Sequence, residues 1–418
     1  MSPVPDAIIN STWGIKMPSL IDSLLDEKII SERFDEFKKD HNFTLKDVYK
    51  TFDKWMEIQD KQRIDVVLAT ALTRKLEGTP IWLFLVGPSG DGKSEQVMTI
   101  NNPDHTVILH EITPNTIVSG MSTKKENFDL APKLKDKIVI IPDMAQLLHL
   151  HPNDKAKVWG QLRELYDGRA GKITGMSEAK YDDIRVTLIA CSTPSIDAQI
   201  LVFTHLGTRE LIYRTKKEDE TALMNKVMEN EKLEKEMRQE LKFIVNGFLK
   251  YTQLKNVEIL EDVYEVIKNL VRYLRYMRAT AEFESYTGEL RNIVYPEQPT
   301  RCLKQFKRLY VALMSLDSDY SSERALKILK HIVISSVSPL RRRVLSFLKK
   351  NEDQEFTTSK IAHSAKLGKK TALRELYVLW DLGMVEMRMD EMEQEWKNIY
   401  YWKISNKGIS IGSCIDVI

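Results

Sequence analysis

Residues 82–97 read WLFLVGPSGDGKSEQV, and this stretch decides the fold. An apolar run leads into a loop carrying Gly87, Gly90 and Gly92, and KSEQV then opens a helix-compatible segment. Gly87 to Ser94 fits G-x-x-x-x-G-K-[ST], in the strand–loop–helix context that gives the pattern meaning. The glycines let the backbone turn tightly and aim its amides at phosphate oxygens. Across Gly87, Pro88, Ser89, Gly90, Asp91, Gly92, Lys93, Ser94 and Glu95 the loop passes into a helix N-terminus, whose dipole favours an anion. Lys93 is placed to reach β- and γ-phosphates, and the Ser94 hydroxyl to ligate Mg²⁺, so ATP with Mg²⁺ is the expected cofactor pair.

Working outward, other short β-branched runs follow: HTVILHEI, DKIVIIPD and IRVTLIACS. Helical stretches lie between several of them, an alternation that predicts a parallel α/β sheet buried on both faces. Upstream, IDVVLATALTRKLEG sets Ile64, Val67, Leu68, Ala71 and Leu72 on one helical stripe, with Gly78 as its C-cap. From about residue 215 to 335 the pattern is helical throughout, and the dense charges of 216–242 read as a solvated helix face. After 337 come a helix, a helix–turn–helix with Gly368 in the turn and an end near Gly383, then a hairpin pattern. That order predicts a winged helix. The expected division is 1–60 helical, 61–215 α/β core, 216–336 helical lid and 337–418 winged helix-turn-helix.

Composition bounds the function. A net charge of +2 over 418 residues means that any nucleic-acid face is local. Cys191, Cys302 and Cys414 lie far apart without C-x-x-C pairing, which argues against a disulfide framework or zinc site and fits a cytoplasmic location. No apolar run approaches the roughly 18 residues of a membrane helix, and the first residues lack a signal-peptide pattern, so no membrane partner is expected.

Downstream of the loop, IVIIPD ends an apolar run on Asp143, a carboxylate suited to hold Mg²⁺ beside Ser94. Over residues 60–335 the chain now resembles the AAA+ ATPases, particularly the branch with a β-hairpin before the sensor-1 strand, which includes the minichromosome-maintenance helicases. It is also similar to AAA+ proteins of phages and mobile elements in GTPIWLFLVGPSGDGKSE, LRELYDG and LGTREL. The resemblance implies that Thr193 in DDIRVTLIACSTPSID is sensor 1. In HLGTRELIYRT it implies Arg209 as the arginine finger, with Arg214 as second choice. In the lid segment YPEQPTRCLKQFKRLYVALMSL it implies Arg301 as sensor 2. A finger that serves a neighbour's phosphate implies self-association into a ring, a hexamer in this family.

The resemblance has a gap. Where the family places the Glu that polarises the attacking water, this chain has Met144. Glu111 in VILHEITPNT, on the run that should pair with the Asp143 strand, is the first replacement. Glu164 in LRELYDG is the second, and the absence of any base is the third reading.

Basic residues supply the candidate DNA contacts. Lys366, Lys369, Lys370, Thr371 and Arg374 cluster at the turn and the expected recognition helix, with Arg341, Arg342 and Arg343 on the preceding helix. Arg169 and Lys172, with Lys180, sit in the hairpin region that faces DNA in related helicases. The acidic EMRMDEMEQEW would be repelled by a duplex, so a protein partner for the wing stays open. Two functions are expected: an ATP-driven helicase or DNA-remodelling motor in replication, or an ATP-gated DNA-binding initiator, loader or regulator with little hydrolysis.

Overall fold

A computed structural model describes residues 34–39, 41–119, 129–173, 178–197, 208–284, 290–391 and 398–416. Most of the expected N-terminal segment, residues 1–33, lies outside these. So do 392–396 of the acidic wing and 174–177 of the basic hairpin.

A short helical stretch at 34–39 precedes α1 (Leu45–Trp55) and α2 (Lys61–Leu72). The α/β region then runs β1 (Trp82–Val86), α3 (Lys93–Met98), β2 (Thr106–Ile108), β3 (Ile138–Ile141), α4 (Ala145–His149) and α5 (Pro152–Tyr166). An antiparallel pair follows, β4 (Ala170–Ile173) and β5 (Glu178–Tyr181), then β6 (Thr187–Ser192) and β7 (Glu210–Arg214). Five of these strands form one parallel sheet in the order β2-β3-β6-β1-β7.

Side chains alternate across this sheet with period two. Leu83, Leu85, Ile138, Ile140, Ile189 and Cys191 face one apolar cluster, which α2 also joins. Trp82, Phe84, Val86, Val139, Ile141, Leu188 and Ala190 face the other, covered by α4 and α5. Burial on both faces is why these strands read as unbroken apolar runs rather than alternating ones.

The helical region holds α6 (Glu220–Asn230), α7 (Glu234–Tyr251), α8 (Glu261–Met277), α9 (Pro299–Met314) and α10 (Ser322–Ser335). Helix α6 buries no residue, as its charge density predicts. Of the others, α7 packs on α1 and α2, α9 on α2, and α10 on β7, while α8 packs against α9 and α10; one apolar cluster includes residues from Phe34 to Cys414.

The last region holds α11 (Pro339–Lys349), β8 (Phe356–Thr357), α12 (Thr358–Ser364), α13 (Lys369–Asp381), β9 (Val385–Glu391), β10 (Asn398–Ile404) and α14 (Asn406–Ser413). Its three strands form an antiparallel sheet in the order β8-β10-β9. Gly368 is the N-cap of α13, and Gly383 takes a φ of 68° just past the helix end, the left-handed conformation expected there. Among the described residues no helix is long and apolar enough to cross a membrane.

One expectation needs correction. Helix α2 ends at Leu72 and tightens into a 3-10 turn over Thr73–Lys75, so Gly78 is not its cap. Gly78 instead turns the chain toward β1 with a φ of 95°. Within the expected α/β core of 61–215 the structure adds a strand that the apolar runs do not name: ELIYR, 210–214, is a fifth sheet strand, paired along its whole length with β1.

Candidate functional site

The glycine loop leaves β1 at the carboxyl end of the sheet. Gly90 and Gly92 have φ of 81° and 74°, which any residue with a Cβ would strain to adopt. Gly87 is needed for a different reason. A Cβ there would sit 1.9 Å from Thr215 Oγ1 and 2.5 Å from Asp91 Oδ2, so the loop closes only because that atom is missing.

Lys93 folds back over the loop. Its Nζ donates to Gly87 O at 3.0 Å, to Pro88 O at 2.6 Å and to Asp91 Oδ1 at 2.7 Å. Thr215 Oγ1 donates to Asp91 Oδ2 at 2.8 Å. The buried Arg63 of α2 donates twice to Asp91 O at 3.1 Å and to Gln96 Oε1 at 2.6 Å. The loop is thus gripped from outside, and its lysine is satisfied from within by two carbonyls and the Asp91 carboxylate.

The parallel registers carry the other candidates to the same edge. Ser94 Oγ donates to Pro142 O at 2.6 Å, which sets its hydroxyl next to Asp143. Asp143 is exposed and accepts from Ala145 N at 2.8 Å. Thr193 follows β6, the strand between those of Asp143 and of the loop, and its hydroxyl lies 2.7 Å from Ser195 Oγ. Strand β2 lies beside β3, as expected for the Glu111 run. Ile108 pairs with Ile140, and Leu109 N donates to Ile140 O at 2.8 Å. The exposed Glu111 follows three residues after the last paired residue of β2, so it leaves the sheet at the same carboxyl edge as Asp143. A hydroxyl and a carboxylate at one strand end are hard oxygen ligands that suit Mg²⁺.

Met144 is a core residue. It is 1% exposed in the apolar cluster under α4 and α5, and its amide donates to Cys191 O at 3.0 Å. Glu164 is exposed on the last turns of α5. That end of α5 belongs to the opposite edge of the sheet, because Tyr166 packs edge-on against Trp82, the first residue of β1, at 5.3 Å.

The three arginines separate. Arg209 directly precedes β7, whose first residue pairs with Trp82, so it stands at the amino edge. It pairs with Asp167 at 2.7 Å and lies over the Tyr166 ring. Arg301 joins it there, over the same ring and donating to Thr208 O at 2.8 Å. Arg301 therefore does not face its own glycine loop. Nearby Arg163 has its guanidinium pKa lowered, first by burial and then by Arg209. Arg214 lies at the other end of β7, level with Val86, and is held two-pronged by Asp197 at 3.1 and 2.6 Å. Arg209 and Arg214 are thus not interchangeable.

Among the basic candidates, Lys366, Lys369 and Lys370 are exposed at the start of α13, and Thr371 is half-buried. Arg374 turns away from them, its guanidinium 5.3 Å from the Phe283 ring. Arg341 is not a surface cation: it is 4% exposed and ion-paired with Glu375 at 2.8 Å. Arg169 is exposed, but Lys172 is spent on anchoring its hairpin, donating to Asn115 Oδ1 at 2.6 Å and Ser119 O at 3.2 Å.

Fold and loop together define an α/β protein with a five-stranded parallel sheet and a glycine loop at its carboxyl edge. In comparisons with known proteins, no family model and no curated protein matches the chain.

Proposed function

We propose that this chain is an oligomeric Mg-ATP-dependent ATPase of the AAA+ class that acts on DNA, as a helicase or remodelling motor in the replication of a phage, plasmid or similar element. One observation carries the reading. Lys93, Ser94, Asp143, Thr193 and Glu111 share one sheet edge, while Arg209 and Arg301 share the other. At about 3.3 Å per residue, β1 alone separates the edges by roughly 13 Å, beyond one side chain's reach. The two arginines make chemical sense at the cradle of a second copy, where they would meet charge that builds up on a terminal phosphate. The hairpin β4–β5 directly before β6 supports the β-hairpin branch, and the order of α11 to β10 supports a winged helix.

In this reading the loop amides and Lys93 hold the phosphates, and Ser94 and Asp143 hold Mg²⁺, which neutralises phosphate charge when bound. Thr193 fixes the terminal phosphate, and Glu111 accepts a proton from the attacking water. Phosphate release with and without single-stranded DNA tests it. DNA-stimulated turnover is expected, lost in Lys93→Ala and reduced about 100-fold or more in Glu111→Gln. Full turnover in Glu111→Gln would remove Glu111 from the role of base, and Glu164, at the opposite edge of the sheet, does not replace it within the same chain.

The burial of Met144 favours a second reading, because no carboxylate follows Asp143 directly. Here ATP assembles the protein on an origin or promoter with negligible hydrolysis. ATP-dependent DNA binding by a wild-type protein that releases no phosphate would establish it.

For DNA contact, the supporting residues are the exposed Lys366, Lys369 and Lys370. Replacing Lys369 and Lys370 by Glu is expected to weaken binding across all sequences. The slope of log affinity against log salt should fall by about 2, roughly one for each phosphate that loses its lysine. An unchanged slope in a fluorescence-anisotropy salt titration would leave the winged region as a protein-docking unit.

A further inference from the structure

In LRELYDG, residues 162–168, Glu164 stands away from the glycine loop, yet the last three residues form the end of α5 where two arginines meet. Tyr166 is the last residue of α5, Asp167 is its C-cap, and Gly168 turns the chain with a φ of 81°. The guanidinium carbons of Arg209 and Arg301 lie 5.6 and 5.9 Å from the centre of the Tyr166 ring. Both distances fall within the roughly 6 Å over which a ring face attracts a cation. The two arginine side chains are 12% and 31% exposed, so the contact counts for more than it would at an open surface.

The ring is held in one orientation. Trp82, itself buried, meets it at 5.3 Å and 84°, and Trp82 Nε1 donates to Val186 O at 3.0 Å. The Tyr166 hydroxyl is buried and has no hydrogen-bond partner among the described residues. A buried hydroxyl left unpaired is a cost, so the part of this side chain that serves the site is the ring. Arg163 adds a third guanidinium, its pKa lowered first by burial and then by Arg209. Repulsion among these cations is offset by the electron-rich ring face, by the negative end of α5, and by Asp167 and Glu297, 2.7 Å from Arg209 and 3.5 Å from Arg301. A carboxylate occupies the donors that a phosphate needs. A ring face steadies a guanidinium and takes up none of them, because those donors lie in the guanidinium plane.

We propose that Tyr166 is a positioning residue of the neighbouring subunit's ATP site, its ring holding Arg209 and Arg301 where they meet the terminal phosphate bound at that neighbour's loop. The inference rests on the reading that the two arginines act on a second copy. Main-chain contacts complete the arrangement. Arg301 Nη1 donates to Thr208 O at 2.8 Å, and the buried Gln305 donates to Arg209 O at 2.7 Å. These bonds fix the backbone around Arg209, while the ring fixes the two side chains.

Two substitutions separate ring from hydroxyl. Tyr166→Phe keeps the ring and is expected to keep ATP turnover within about 2-fold of wild type. Tyr166→Leu keeps apolar bulk without the ring and is expected to lower kcat about 10-fold or more. Its binding of a fluorescent ATP analogue should change less than about 3-fold, since its own loop is intact. Mixing then separates positioning from a general loss of structure. Tyr166→Leu protein is expected to regain turnover with Lys93→Ala protein, which supplies intact arginines, and to gain none with Arg209→Ala protein. Equal losses in the two Tyr166 variants, full turnover in Tyr166→Leu, or no recovery with Lys93→Ala protein overturns the proposal. Wild type without turnover, or Lys93→Ala and Arg209→Ala proteins that do not recover together, overturns the reading beneath it, and neither result involves a Tyr166 variant.

Discussion

Arg209→Ala and Lys93→Ala proteins, each inactive alone, are expected to recover ATP turnover when mixed. The expectation follows from the two sheet edges. Lys93 serves the loop of its own chain, while Arg209 stands at the far end of β7 beside Asp167 and Tyr166. Loss of an arginine in that role costs about 10³-fold or more in rate. Loss of the loop lysine removes the cation aimed at the phosphates. A junction formed by the intact loop of one variant and the intact arginine of the other lacks neither group. In an equimolar mixture with head-to-tail contacts, about a quarter of junctions are of that kind, so recovery of up to a quarter of wild-type turnover is expected. Mixed oligomers seen by native mass spectrometry but without turnover would place Arg209 outside the reaction.

The second large effect concerns Arg63, which is fully buried and binds the loop from behind through Asp91 O and Gln96. Burial lowers its guanidinium pKa, and the neighbouring Asp91 carboxylate, 3.9 Å away, opposes that shift. Arg63→Met leaves a buried carbonyl, an amide oxygen and the Asp91 carboxylate short of a donor. The expected cost is about 3–5 kcal/mol in denaturant unfolding. Nucleotide affinity should fall with it, since Asp91 also positions Lys93. Arg63→Lys should rescue little, because an ammonium cannot span the carbonyl and the Gln96 oxygen as the planar fork does. A cost under about 1 kcal/mol with unchanged binding would show that the loop stands without this support.

The sequence discloses these parts unevenly. Strands β1, β3 and β6 announce themselves because a sheet buried on both faces needs unbroken apolar runs. The loop is legible because few residues tolerate its backbone, and the C-terminal helices because Gly368 and Gly383 punctuate them. Strand β7 is harder to see: Glu210 and Arg214 flank only three apolar residues, and its pairing to β1 is a long-range fact. Arg63 hides inside a helix that reads as amphipathic but is buried nearly all round. The placement of Arg301 beside Arg209 depends on how α9 docks, which no local pattern encodes.

Arg341 gives the C-terminal region a mechanical character. Its guanidinium pairs with Glu375 of α13 and donates to the carbonyls of Met277 and Ala279 at the end of α8. Such a joint does not loosen by degrees. Its bonds are directional and largely shielded from water, so they break together rather than stretch, and removing the Glu375 carboxylate while Arg341 stays buried would cost about 3–5 kcal/mol. A load applied to α13 is therefore handed whole to α8 until the joint fails outright. The C-terminal sheet and its helices behave as a cog keyed to its shaft, not as a weight on a string.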